Sequence, residues 1–138
     1  MPAACGCKAT VLIADDNPFN LMALEAILSE FKVNCDSADD GVKEVDMFRS
    51  NMEKTCCNVK YKAVLTDLNM PNMDGFDAGD KILAMCKEWG VEVVPVLAVT
   101  AYENDSVRAR CINLGFMKCL NKPVNPVDLS EIIEIIKK

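Results

Sequence analysis

Four short motifs hold the residues whose types and spacing could do chemistry: Asp15-Asp16, Asp67 within the run Thr66-Asp67-Leu68-Asn69-Met70-Pro71-Asn72-Met73-Asp74-Gly75, Thr100-Ala101, and Asn121-Lys122-Pro123. Each follows a short apolar stretch. Asp67 by itself reads equally as the cap of a turn, since Asp before a Pro/Gly loop is ordinary turn chemistry. Asp15, Asp16 and Asp67 together read differently. Three carboxylates brought to one place repel one another unless a cation lies among them. A ligand set of oxygens without histidine selects a hard ion, with Mg²⁺ the natural candidate and Mn²⁺ a substitute. Lys122 adds a positive charge on the other side, and Thr100 adds a hydroxyl. These are the parts needed to receive a phosphoryl group: a carboxylate nucleophile, cations for the transferred oxygens, and a hydroxyl to read the product.

Something must carry these residues to one place. Apolar, β-favouring runs at 10–14, 33–37, 63–66, 93–99 and 117–120 alternate with helical patterns. Asn17 caps the first helix, with Pro18 at its first position and Met22, Ala23, Leu24, Ile27, Leu28 and Phe31 as its apolar residues. Asp39-Asp40-Gly41 opens the second, whose face is Val42, Val45, Phe48 and Met52. The third covers 76–89 and stops at Gly90. The fourth covers 104–114 and stops at Gly115. The fifth runs from Val127 or Asp128 to Lys137, with Leu129, Ile132, Ile133 and Ile136 as its stripe. Residues 53–61 have no clear period and read as a long loop. Five strand–helix alternations imply an α/β fold, a doubly wound parallel five-stranded sheet. In such a sheet the C-terminal strand ends share one edge, where ligands bind. The four motifs fall there.

The chain has 138 residues and 51% hydrophobic content, which suits one folded domain and excludes a disordered tail. A formal charge of −6 argues against nucleic-acid binding, because phosphate backbones demand a basic face. No stretch has the roughly 18 apolar residues of a membrane span, and no signal peptide is visible, so direct membrane contact is not expected. The eight cysteines are scattered, no Cys-x-x-Cys pair occurs and histidine is absent. The spacing is poor for zinc. The thiols read as small hydrophobes in a reduced, cytoplasmic protein.

The motif set, in this order and each at an expected strand end, is similar to the response-regulator receiver domain (CheY-like) over about residues 10–137. Residues 1–9 are then an N-terminal extension and 10–138 the receiver domain. The resemblance implies a flavodoxin-like (βα)5 fold with strand order 2-1-3-4-5. It implies phosphorelay signalling, in which Asp67 takes a phosphoryl group from a phosphohistidine of a histidine kinase or histidine phosphotransfer protein. Mg²⁺ would be held by Asp16 and Asp67, by Asp15 directly or through water, and by the main-chain carbonyl of Asn69. Lys122 would pair with the phosphoryl oxygens, and Thr100 would swing to hydrogen-bond them. Asn69 and Tyr102 stand where the family tunes water access. The 104–138 face is a dimerisation surface in the family, so a weak homodimer is among the expected partners.

Cys119 departs from the pattern. It stands three residues before Lys122, where receivers usually carry Tyr or Phe, so the usual aromatic rotation coupled to Thr100 has no ring to use. Switching then uses another group, or the domain relays phosphoryl groups without a large output change. With the last helix at the end of the sequence, an output domain is not expected, and without histidine the phosphoryl donor is expected to be another chain or another domain. Together with Leu120-Asn121-Lys122-Pro123-Val124 and the Cys-rich loop, this favours a receiver from a hybrid sensor histidine kinase. A stand-alone single-domain regulator is the alternative. A phosphatase using an aspartyl phosphate fits poorly, because Asn69 stands where its general acid would be. Turnover catalysis by the chain alone is not expected.

Overall fold

The structure is a computed structural model and describes residues 5–137; residues 1–4 of the expected extension, and Lys138, lie outside the described residues. Its elements follow the alternation: β1 (Val11–Ala14), α1 (Pro18–Glu30), β2 (Cys35–Ala38), α2 (Gly41–Glu53), β3 (Ala63–Asp67), α3 (Gly75–Glu88), β4 (Val96–Thr100), α4 (Asp105–Leu114), β5 (Lys118–Asn121) and α5 (Pro126–Ile136). The strands form one parallel sheet in the order β2-β1-β3-β4-β5.

Strand residues alternate between two cores because successive side chains point to opposite faces. Leu12 and Val64 join Val45, Phe48, Ala78, Ile82 and Cys111 beneath α2, α3 and α4. Val11, Ile13 and Leu65 join Leu28, Leu129, Ile132 and Ile133 beneath α1 and α5. Each fully buried Leu or Ile contributes about 1.5–3 kcal/mol through removal of apolar area from water. This two-sided burial makes the central strands uniformly apolar.

The register aligns the chemical ends of the strands. Ala14 pairs with Thr66, Asp67 with Val99, and Thr100 with Asn121. Five side chains cap the helices leaving this edge: Asn17, Asp40, Asp74, Asn104 and Asn125 each accept from a first-turn N–H. Such caps contribute about 1 kcal/mol apiece and hold the edge loops short.

Several expectations are corrected. β4 begins at Val96, not at Val93, because Pro95 has no N–H for the ladder; Val93 is exposed. β2 is displaced toward Ala38, and β3 extends through Asp67. Met22 and Val42 face solvent, so neither belongs to a core stripe. Glu44 is fully buried instead. The cysteines are not uniformly small hydrophobes: only Cys86 and Cys111 are buried, and Cys5, Cys7, Cys56 and Cys57 lie together.

Candidate functional site

Asp15 follows the last residue of β1, and its first carboxylate oxygen accepts from the Asn17 N–H at 2.9 Å. Asp67 ends β3, and its Oδ1 accepts from the Asn69 N–H at 3.1 Å. These turn hydrogen bonds fix both carboxyl groups before any ligand arrives. Both residues are buried, whereas Asp16 and Asn69 are exposed at the mouth. One oxygen from each of Asp15, Asp16 and Asp67 lies within 4.8 Å of the others.

Lys122 reaches in from the end of β5. Its Nζ stands 2.9 Å from Asp15 Oδ2 and 3.0 Å from Asp67 Oδ2. The ammonium therefore bridges two carboxylates rather than facing them from the other side. The backbone fixes this approach, since the Lys122 N–H donates to the Thr100 carbonyl at 2.9 Å. Burial alone would lower the Lys122 pKa, but the hydrogen bonds to Asp15 and Asp67 outweigh it and the net shift is upward. Burial raises the Asp67 pKa; the Asn69 N–H and Lys122 pull it back, the Asp15 charge pushes it up, and it ends above the ordinary carboxylate value.

Thr100 is buried at the end of β4, and its Oγ1 accepts from the Tyr102 N–H at 3.2 Å. Among the described residues it makes no hydrogen bond to Asp15, Asp67 or Lys122. Tyr102 itself is exposed. The loop after Thr100 is tied to β5 by the Glu103 N–H donating to Asn121 Oδ1 at 3.0 Å. Cys119 is half-buried, and a cavity of about 220 Å³ lined by Arg108, Cys111, Ile112, Phe116 and Met117 opens beside it.

Sequence reasoning missed two positioning contacts. Asn72 adopts the left-handed conformation at φ 67°, and its side-chain amide donates to Asp40 Oδ2 at 3.0 Å, tying the loop after Asp67 to the start of α2. The Asn-x-Asp-Gly wording was the available signal, because Asn tolerates that conformation. Gly75 lies so close to the Asp67 carbonyl and Leu68 Cα that a Cβ there would collide with both.

The arrangement suits a hard cation. Cis oxygens around an octahedral Mg²⁺ with bonds of about 2.1 Å lie about 3 Å apart, and the three carboxylate oxygens, within 4.8 Å of one another, need only draw closer to reach that spacing. The donors are all oxygen, and two of the three carboxylates are already buried and oriented.

Residues 11–134 match the response regulator receiver domain family. The chain is 31% identical over 125 residues to sensor histidine kinase RcsC of Salmonella typhi, an alignment covering 91% of this chain and 12% of that protein. It thus spans about a tenth of the length of the curated relatives it matches. A chain from the co-crystal structure of the Saccharomyces cerevisiae histidine phosphotransfer signaling protein Ypd1 and the receiver domain of its downstream response regulator Ssk1 superposes with a TM-score of 0.77 at 26% identity, covering 91% of this chain and 86% of that one. The receiver domain of sensor histidine kinase PA1611 from Pseudomonas aeruginosa PAO1, which has a magnesium ion coordinated in its active-site cleft, superposes with a TM-score of 0.72 at 28% identity, covering 96% of this chain and 100% of that one. With the strand order 2-1-3-4-5 and the match over residues 11–134, the chain belongs to the response regulator receiver domain family and is a receiver domain of phosphorelay systems.

Proposed function

We propose that Asp67 is the phosphoacceptor of this receiver. The observation that carries the reading is the Lys122 ammonium, 2.9 and 3.0 Å from two buried carboxylates, with the Asp16 carboxylate beside them at the mouth. An Asp67 carboxylate oxygen forms a bond to phosphorus as the bond from phosphorus to the donor imidazole nitrogen breaks. The electron pair returns to that nitrogen. The Asn69 N–H keeps the carboxylate oriented, and Lys122 is within reach of a phosphoryl oxygen placed on Asp67. Asp15, Asp16, Asp67 and the Asn69 main-chain carbonyl would hold Mg²⁺, or Mn²⁺ in its place. The ion would supply charge neutralisation between the carboxylates and the incoming phosphoryl oxygens.

Thr100 would leave the Tyr102 N–H to meet the phosphoryl group. Cys119 itself presents no ring to follow that movement. This supports relay over a large output change. Likeness to sensor-kinase receivers supports an origin in a hybrid histidine kinase, and a stand-alone regulator is the alternative. The partner of this reading is a histidine kinase or histidine phosphotransfer protein. Exposed Phe19 on α1, Tyr102 beyond β4 and Val127 on α5 lie around the acidic edge and suit such a protein surface. The eight free thiols fit the cytoplasm as its location, and the α4–β5–α5 face remains the candidate for a weak homodimer. No helix among the described residues is long and apolar enough to cross a membrane.

Incubation with acetyl phosphate and Mg²⁺, followed by intact mass measurement, tests the assignment. One phosphoryl group per chain is expected in the wild type and none in Asp67→Asn. Equal uptake by Asp67→Asn would overturn it.

A further inference from the structure

The sheet has a second constellation at the edge opposite the acidic site. Cys5 and Cys7 precede β1, and Cys56 and Cys57 lie in the loop that leads into β3. Their four Sγ atoms all lie within 4.8 Å of one another. Cys7 and Cys56, 49 residues apart in sequence, bring their sulfurs to 3.9 Å, and Cys56 and Cys57 also stand at 3.9 Å. A tetrahedral zinc thiolate with bonds of about 2.3 Å separates its sulfurs by about 3.8 Å. The observed contacts are at that spacing, far beyond the roughly 2.05 Å of a disulfide.

We propose that Cys5, Cys7, Cys56 and Cys57 form a tetrathiolate site for a soft divalent metal, zinc foremost. Packing does not account for these side chains, since Cys5 and Cys56 are exposed and Cys7 and Cys57 only half-buried. The loop that presents Cys56 and Cys57 is held independently of any metal. Lys60 Nζ donates to the carbonyls of Asn51 at 2.8 Å and Lys54 at 2.9 Å, and the Tyr61 N–H donates to Asn51 Oδ1 at 2.9 Å. The other strand of the clip is fixed too, through the Lys62 N–H to the Thr10 carbonyl at 2.6 Å. On binding, zinc exchanges its waters for four thiolates, and the thiol protons pass to the buffer. The product carries a net charge of about −2. Lys8 and Lys54 line the same cavity as Cys5 and Cys7 and place positive charge beside it. Sulfur donors at one edge and oxygen donors at the other separate a soft ion from a hard one. The site would staple the segment before β1 to the loop before β3.

The test uses the full chain, reduced and stripped of metal, titrated with Zn²⁺ against a chromophoric chelator and with Co²⁺ as a spectroscopic probe. We expect one equivalent per chain, the intense visible bands of tetrahedral thiolate-bound Co²⁺, and a higher melting temperature with zinc. Zinc should protect four thiols from alkylation, and a chelator should expose them. Cys7→Ser/Cys56→Ser should lose the metal while still taking one phosphoryl group from acetyl phosphate, and Cys35→Ser should bind as the wild type does. The proposal is overturned if the reduced chain takes no zinc, if Co²⁺ shows only weak octahedral bands, or if the metal is lost in Asp16→Ala but kept in Cys7→Ser/Cys56→Ser. A Cys7–Cys56 disulfide in a chain without metal affinity overturns it as well. Should the double variant not fold, alkylation of the wild type decides: no protected thiols under saturating zinc refutes the site.

Discussion

Replacing Glu44 with Gln perturbs a buried acid without changing its volume. Glu44 sits in the first turn of α2 with no solvent exposure, and neither carboxyl oxygen has a hydrogen-bond partner among the described residues. The Thr66 hydroxyl approaches and draws the pKa slightly down without reaching hydrogen-bond geometry. Burial dominates and pushes the Glu44 pKa from 4.5 up to about 8. The folded chain therefore keeps a proton on Glu44 at neutral pH, while the unfolded chain releases it. Between those two values the native state binds one more proton than the unfolded state, so stability falls as pH rises. The slope is about 1.4 kcal/mol per pH unit, which accumulates to about 3 kcal/mol by pH 7. Below the unfolded value the loss vanishes, and above about 8 it is complete. Gln carries no such proton, so Glu44→Gln minus wild type should gain about 3 kcal/mol of relative stability between pH 5 and 7.5, whatever offset its amide introduces. Urea unfolding of both proteins across pH 5–8.5 measures this, and the subtraction cancels every other titrating group. Parallel stability curves would refute the claim that Glu44 is buried and neutral.

Lys122→Met should leave Asp15 and Asp67 facing each other without a counter-charge, lowering stability by about 2–4 kcal/mol in metal-free buffer. Added Mg²⁺ should restore part of that loss in urea unfolding, and phosphoryl uptake should slow. Gly75→Ala should strike the Asp67 carbonyl, with a stability loss of about 1–3 kcal/mol by thermal unfolding and reduced acetyl phosphate labelling. Tyr61→Phe removes a hydrogen bond from Tyr61 Oη to Asp36 Oδ2 at 2.6 Å. It should cost about 1–2 kcal/mol in unfolding and leave labelling at Asp67 intact.

The acidic site was legible because it depends on strand ends, and strand ends show as apolar runs halted by Asp, Thr or Asn. Asp15, Asp67, Thr100 and Lys122 needed only the parallel order to meet. Helix faces were less legible. Apolar residues occur all round α1, so the stripe could be drawn through Met22, which the fold leaves in solvent. In α2 the period places Glu44 on the face of Val45 and Phe48, although an unpaired carboxylate is almost never fully buried. The apolar run begins at Val93, but Pro95 has no N–H for the ladder and so marks the start of β4. The cysteine quartet depended on a contact spanning 49 residues between two irregular segments, where neither a period of two nor of 3.6 operates.

The sheet order separates the fates of the two kinds of charge at the acidic edge. Asp15 and Asp67 hang from β1 and β3, each flanked by two strands, while Lys122 hangs from β5, which has β4 alone for company. Fraying at that outer rim breaks one ladder and withdraws the ammonium while both acids stay seated. With Asp67 as the proposed phosphoacceptor, a protein that levers on the rim would govern how long its acyl phosphate survives by removing the counterion, with no contact to the bond itself.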